Sequence, residues 1–378
     1  MPQQTQAWVV DELNGPFVLR DVTLDDPLED EVLIEMVASG ICHTDLLVAS
    51  GHLPDNKFPV ILGHEGAGYV VKAGAKAGRL QPGELVLLSF ACCEDCDPCK
   101  TGATYACDTW TPINFLKQRA SGNPAVGVLG DGNLKGKPVE GSFFGQSSFA
   151  RHALVKESSC VVVPKGTDVK TLAPLGCGLQ TGAGGVFNAA NVQPHNTVLV
   201  SGLGGVGMAA LFAAASIGAK TIIVVDINEE RLKLAKELGA THAVNPKSLS
   251  GTTTPEEARR LTDGRGVDFV IECTGHPAAA KDAFLSLGMR GRMVQIGSSP
   301  GELSVGFNDI LLGLRSIEAC VEGNDSPHRL VPRLVELHKQ GKFPVDRIVK
   351  TYPWKEMHQA LEDMHSGKVI KPILVFDQ

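Results

Sequence analysis

The sequence predicts an α/β protein of two domains, one β-rich and barrel-like, the other a doubly wound parallel sheet, and three observations lead there. Its 378 residues exceed what one hydrophobic core ordinarily supports. Residues 30 to 90 read as short strands broken by Gly and Pro, in "EVLIEMVASG", "GAGYVVKAG" and "PGELVLLSF". After residue 178 apolar runs alternate with helical patterns: "TVLVSG", "MAALFAAASIGA", "TIIVVD", "ERLKLAKELGA", "HAVNP", "FVIECTG" and "RMVQIGSS". Strand and helix alternating at this rhythm imply a parallel sheet covered by helices on both faces.

Between these textures lies a stretch at 108 to 142 whose Gly, Asn and Pro content forbids regular elements of much length, the mark of a functional loop. The tail beyond 320 reads as two helices, "RLVPRLVELHKQGK" and "WKEMHQALEDMHSGK", and a closing strand, "PILVF".

Composition narrows the class. Hydrophobic residues make up 43% and charged ones 20%, an ordinary globular balance. The net charge is −7 and no basic run exceeds a pair, which argues against nucleic acid or an anionic membrane as partner. The start, "MPQQTQAWVV", lacks the pattern of a secretory signal, and the apolar stretch at 208 to 218 is too short to span a bilayer. The expectation is a soluble cytoplasmic protein, in whose reducing surroundings clustered cysteines serve metals more often than disulfides.

Five of the ten cysteines fall between 92 and 107. Cys93, Cys96, Cys99 and Cys107 have the spacing C-x2-C-x2-C-x7-C, which lets a tight loop bring four sulfurs to one zinc ion. Four thiolates saturate a tetrahedral ion, so this zinc is expected to be structural. Cys92 is left over, because using it in place of Cys93 breaks the regular spacing.

A second set is dispersed. "GICHTDLL" supplies Cys42, "LGHEGAGYV" supplies His64 and Glu65, and "LGCGLQTG" supplies Cys177. Singly, each is equally read as a small core residue or a hydrogen-bonded histidine. Together, two cysteines and a histidine are a ligand set of catalytic zinc with one open position. Zinc there acts as a Lewis acid, lowering the pKa of a bound hydroxyl toward about 7. Glu65 can serve as an occasional fourth ligand or stand behind the ligands.

"NTVLVSGLGGVGMAALFAAASIGA" places Gly202, Gly204 and Gly207, with Gly205 and Val206 between them, as G-x-G-x-x-G between a strand and a helix. The first glycine makes the turn, the second admits a pyrophosphate, and the third lets helix meet strand. "TIIVVD" then ends a second strand at Asp226, whose carboxylate suits ribose hydroxyls and repels a 2′-phosphate, favouring NAD over NADP. Arg231 is read three ways: steadying the ribose, tolerating that phosphate, or lying solvated on its helix.

The blocks "GICHTDL", "LGHEGAG", the cysteine cluster, "FFGQSSFARHALV", "APLGCGLQTGAG", "GLGGVG" and "VVDIN" together resemble the zinc-dependent medium-chain alcohol dehydrogenases, most closely the aryl-alcohol (benzyl alcohol) and geraniol dehydrogenase branch. The resemblance runs over nearly the whole chain. It implies a GroES-like catalytic domain at 1–178 completed by 321–378, a Rossmann NAD-binding domain at 179–320, and an active site in the cleft where they meet. It implies two zinc ions per subunit, one catalytic on Cys42, His64 and Cys177, and one structural.

Carried over by position, Thr44 would bond the substrate oxygen at the head of a proton relay, and Asp45 would position the zinc site. His43 and Lys371 would meet the cofactor pyrophosphate, and Thr181 the nicotinamide. The relay's usual terminal histidine is Leu47 here, which leaves water or His52 to carry the proton out. Leu53, Ser89, Phe143, Phe144, Ser298 and Cys320 would line a pocket suited to a flat aromatic or allylic alcohol.

The implied activity is NAD-dependent interconversion of a primary alcohol and its aldehyde by a homodimer or homotetramer, with the edge strand near "SIEACVEG" as contact. One rival is a glutathione-dependent formaldehyde dehydrogenase, which needs a basic pocket residue such as Arg119 or Lys117. Another is a non-catalytic nucleotide or redox sensor, whose signature would be a lost zinc ligand. A third makes Cys177 a covalent nucleophile, with no partnered base in sequence.

Overall fold

The computed structural model describes residues 3–52 and 57–377. The chain forms two compact units. One takes in the chain up to Cys177 with Ser326–Pro332 and everything from Val345 on; the other takes Gly178–Asp325 and Arg333–Pro344.

The first unit is β-rich because its apolar residues alternate or run short between turn residues. Gln3–Val10, Phe17–Leu24, Ala125–Leu129, Pro138–Glu140 and Val60–Ile61 close a small barrel. A second sheet runs Cys160–Val162, Leu85–Leu88, Gly66–Ala73, Glu31–Gly40, Lys371–Val375 and Val349–Pro353, with His152–Lys156 also pairing Glu31–Gly40. The closing strand of the tail therefore lies in this sheet, antiparallel to Glu31–Gly40 with Ile373 opposite Gly40. The main core includes Trp8, Phe90, Phe143, Phe149 and Trp354.

The stretch at 108 to 142 differs from the expected plain loop. Its elements are short, but Ala125–Leu129 and Pro138–Glu140 are barrel strands, and a five-residue strand flanked by Gly, Asn and Pro is too brief to show a period.

The second unit carries a parallel sheet in the order His242–Val244, Thr221–Val225, Thr197–Ser201, Val267–Glu272, Leu287–Gln295 and Ser316–Ala319. The helix Gly205–Ile217 is apolar on every side and buried from Gly207 to Ala214. It ends at Gly218, whose φ of 77° gives the left-handed turn that releases the chain. The helix Gly178–Gly184 packs so closely on it that a Cβ on Gly182 would lie 2.0 Å from the Val206 carbonyl oxygen.

The unit boundary falls later than residue 321 because Gln180 Nε2 donates to Glu322 Oε2 at 2.8 Å, holding the turn after the last strand. Arg333–Pro344 stays with this unit too: Arg333 lies 3.7 Å over the Phe187 ring and Phe343 packs edge-on to Phe212 at 5.3 Å. Among the described residues, no helix is long and apolar enough to cross a membrane.

Candidate metal centres and nucleotide turn

Donor atoms of Cys93, Cys96, Cys99 and Cys107 all lie within 4.8 Å of one another. Short turns place them: Cys96 precedes the single helical turn Asp97–Lys100 that carries Cys99, and Thr104–Ala106 delivers Cys107. Sulfur separations of 3.5 Å (Cys107 to Cys93) and 3.9 Å (Cys93 to Cys99) bracket the ~3.8 Å edge of a tetrahedron with zinc–sulfur bonds of about 2.3 Å. They are far beyond a disulfide bond, and all ten cysteines are free. Burial opposes ionisation of Cys93, yet backbone N–H groups of Asp95 and Cys96 pull it down to about 6, while burial and the neighbouring thiols push Cys99 up. Four crowded sulfurs that cannot all ionise by themselves fit a divalent cation. Cys92 stays outside this group; its amide donates to Ser158 Oγ, and burial lifts its thiol to about 11.

The dispersed set also converges, with Cys42, His64, Glu65 and Cys177 each offering a donor atom within 4.8 Å of the others. Cys42 caps the helix His43–Ala49, and Asp45 in its first turn is fully buried. Asp45 Oδ2 accepts from the Cys42 amide at 3.0 Å; Oδ1 accepts from the Gly63 amide at 3.0 Å and from His64 Nδ1 at 2.9 Å. That last bond fixes the proton on Nδ1 and turns Nε2, a buried atom with no hydrogen-bond partner among the described residues, toward the sulfurs. Burial disfavours charge on the ring, but Asp45 outweighs it and His64 is held well above its ordinary pKa. The Cys177 thiol, with Lys371 and His64 nearby, holds Cys42 well below the usual thiol range. An orphaned imidazole nitrogen facing two sulfurs, one of them acidified, fits a zinc ligand set.

Glu65 is buried, and burial raises its pKa; Lys371 Nζ lies 2.7 Å from its Oε1 and 2.6 Å from Oε2. Gly40 is required beside it, since a Cβ there would meet Glu65 Oε2 at 2.1 Å. Lys371 also donates to the Ile41 carbonyl at 3.0 Å. Lys371, expected at a cofactor pyrophosphate, is buried here and balances Glu65, because a buried carboxylate needs a cation.

In the second unit each glycine of the turn has its own reason. Gly202 has φ 88°, Gly204 would carry a Cβ into open space, and a Cβ on Gly207 would lie 1.8 Å from the Gly202 carbonyl oxygen. Gly205 and Val206 form the first turn of the helix behind them. Asp226 knits this turn to the next strand, its Oδ2 accepting from the Leu203 amide at 2.6 Å and Oδ1 from the Asn228 amide at 2.8 Å. Arg231 is half-buried on the helix capped by Asn228, and its Nε has no hydrogen-bond partner among the described residues.

Comparison with known proteins bears on this architecture. Residues 28–165 match the family model of the alcohol dehydrogenase GroES-like domain, and residues 205–339 that of the zinc-binding dehydrogenases. Geraniol dehydrogenase of Castellaniella defragrans is 36% identical over 375 residues, 98% of this chain and 97% of that protein. The chain belongs to the zinc-dependent medium-chain alcohol dehydrogenases. Two crystal structures agree with it in fold: benzyl alcohol dehydrogenase from Acinetobacter calcoaceticus, with a TM-score of 0.92, 39% identity and coverage of 99% and 100% of the two chains, and an alcohol dehydrogenase zinc-binding domain protein from Burkholderia ambifaria, at 0.93, 40% and 100% of both. A GroES-like domain and a Rossmann-type domain therefore make up this dehydrogenase.

Its other expected site residues are placed as follows. Thr44 is half-buried, its Oγ1 3.7 Å from Cys42 Sγ, and His43 is exposed at the helix start. His52 is exposed with Nδ1 2.7 Å from Ser50 Oγ. Leu53 lies outside the described residues, and Ser298 is exposed. Cys320 and Thr181 come together, the thiol donating to the Thr181 carbonyl at 3.8 Å, and burial lifts Cys320 to about 12.

Ser89, Phe143 and Phe144, expected in the pocket, are all buried. Ser89 Oγ donates to the Gly176 carbonyl at 2.6 Å, beside Cys177. Both phenyl rings are buried on the His64 imidazole, Phe144 stacked at 4.6 Å and Phe143 edge-on at 5.3 Å.

Proposed function

We propose that this chain is an NAD-linked zinc alcohol dehydrogenase interconverting a primary aromatic or allylic alcohol and its aldehyde. The carrying observation is the convergence of Cys42, His64 and Cys177, with Nε2 of His64 aimed by Asp45. When bound, zinc polarises the alcohol oxygen and the nicotinamide ring takes up hydride. The chain's own work is positional. Asp45 holds the His64 tautomer; Glu65, balanced by Lys371, keeps a carboxylate near the ligands without a net buried charge; Thr44 offers a hydroxyl beside Cys42 to hold the substrate proton. Gly204 leaves room for pyrophosphate, Asp226 at the second strand's end favours NAD, and His43 and Thr181 are assigned to cofactor contacts. The aromatic or allylic preference rests on the substrates named for the geraniol and benzyl alcohol dehydrogenases to which the chain is similar.

The glutathione reading loses its support. Arg119 Nε and its NH2 group donate to Glu31 at 2.7 and 2.8 Å, and the buried Lys117 ammonium lies 3.4 Å from Glu140, so neither offers a free charge to a carboxylate.

For assembly we assign a homo-oligomer joined through the edge strand Ser316–Ala319. Ile317 on that strand is exposed, as are the neighbouring Phe307, Leu311, Leu312 and Leu314, and Phe307 is 86% exposed.

The test is NADH formation from NAD with benzyl, cinnamyl and straight-chain alcohols, before and after a chelator, with metal analysis. Activity favouring the aromatic and allylic alcohols, lost on chelation, and two zinc equivalents per subunit are expected. No turnover under any condition, or a single equivalent held by the cysteine knuckle, refutes the proposal.

A further inference from the structure

Residues 142–147 are the most strained segment of the first unit. Ser142, Phe144, Gly145 and Ser147 have φ of 61°, 54°, 68° and 51°, and left-handed backbone at a non-glycine residue costs about 1–3 kcal/mol. Such strain persists only where surrounding bonds over-determine it. Here Ser147 Oγ donates to the Ile61 carbonyl at 2.7 Å, the Ser148 amide to the Gly63 carbonyl at 2.9 Å, and the Phe149 amide to the Leu62 carbonyl at 3.0 Å. The segment is stitched along the chain leading into His64.

At its centre Gln146 is fully buried. Its Oε1 accepts from the Gly66 amide at 3.0 Å, and its Nε2 donates to the carbonyls of His64 and Ser89, each at 2.9 Å. One side chain thus grips the backbone on both sides of Glu65 and that of Ser89, whose hydroxyl in turn holds Gly176. The amide holds the His64 segment directly and the turn that delivers Cys177 through Ser89. No other side chain of its size both accepts once and donates twice at these points: a carboxylate cannot donate, and an apolar chain gives up all three bonds.

We infer that Gln146 is a positioning residue for the open metal site, fixing the relative placement of His64 and Cys177 through backbone bonds while Phe144 stacks on the imidazole. This rests on the zinc reading above. Outer hydrogen bonds of this kind typically govern metal affinity by about 10–100-fold.

The test loads wild type, Gln146→Met and Gln146→Glu with cobalt(II) in place of zinc, records the thiolate charge-transfer and d–d absorption, and follows metal release to dipicolinate. In both variants the metal at Cys42, His64 and Cys177 should leave at least ~10-fold faster than in wild type with a shifted visible spectrum, while the knuckle metal leaves at the wild-type rate. Should either variant fail to fold, Gln146→Asn keeps the amide one methylene short and is expected to release faster than wild type. Release rates and spectra matching wild type overturn the role of Gln146. A wild type that binds metal only at the knuckle overturns the zinc reading beneath it, and the two failures are distinct.

Discussion

Replacing Asp45 by Asn changes one atom in a dry pocket, and the hydrogen bonds on the carboxylate set its consequence. Three N–H donors converge on it: the Gly63 amide and His64 Nδ1 on Oδ1, the Cys42 amide on Oδ2. An amide accepts on one side only. With its oxygen toward His64 and Gly63, its NH2 group confronts the Cys42 N–H; turned over, it confronts the other two. The milder orientation still loses one charge-assisted bond and sets two donors face to face, about 2–3 kcal/mol by the usual scale of such bonds. It also removes the negative charge that polarises the imidazole. We expect zinc affinity at Cys42, His64 and Cys177 to fall about 10–100-fold, equivalent to ~1.4–2.7 kcal/mol, while the knuckle zinc is retained. Equilibrium dialysis against graded chelator with metal analysis measures this, and circular dichroism confirms the fold. If Asp45→Asn keeps its second equivalent wherever wild type does, the reasoning that Asp45 aims the ligand is refuted.

Gly204→Ala and Gly207→Ala separate ligand room from packing: the first has open space and should keep wild-type thermal stability while binding NAD at least ~10-fold more weakly, whereas the second meets the Gly202 carbonyl oxygen at 1.8 Å and should lower the melting temperature itself. Titration of NADH fluorescence and a melt distinguish them, and equal melting temperatures refute the assignment. Cys99→Ser should cost one zinc equivalent and collapse the loop around it, seen as faster proteolysis near residues 93 to 107; unchanged zinc content refutes a structural site there. Asp363 accepts from Tyr352 Oη at 2.6 Å, from Lys350 and Lys368 at 3.0 and 3.1 Å, and from Gln359 at 3.1 Å, and these donors, Tyr352 first, hold its pKa below the ordinary carboxylate value. A depressed folded-state pKa stabilises above the unfolded value of about 4 and is lost as pH falls through the folded one, so Asp363→Asn should melt lower than wild type at neutral pH by a gap that closes on acidification. A gap constant with pH refutes it.

Sites made by short turns were legible in the sequence, and sites made by the sheet were legible only as scattered residue types. Spacing alone brings the knuckle together, because fifteen residues of turn leave four sulfurs few places to go. The glycine turn was equally plain, since strand, turn and helix follow at once. Gln146 stood inside a motif that marked the resemblance, yet nothing in periodicity singles it out: its partners lie 80, 82 and 57 residues away. The same holds for Ser89 and the two phenylalanines. The resemblance assigns them to a pocket, and nothing in periodicity shows the contacts they make with His64 and Gly176. The resemblance assigns Lys371 to a phosphate, and no pattern in the sequence pairs it with the buried Glu65.

The two candidate metal centres differ in where their geometry is stored. In the knuckle the candidate ligands are neighbours in sequence, positioned by left-handed turns at Glu94 and Gly102, and their sulfurs oppose one another's ionisation, which a bound cation would relieve. The open set comes from residues 42, 64 and 177, so loop closure around a metal cannot hold it. Its framework has to exist before the metal arrives, in the strand Gly66–Ala73, the capped helix His43–Ala49 and the strained segment around Phe144. Three protein ligands leave a zinc ion a free coordination position, whereas four thiolates saturate it.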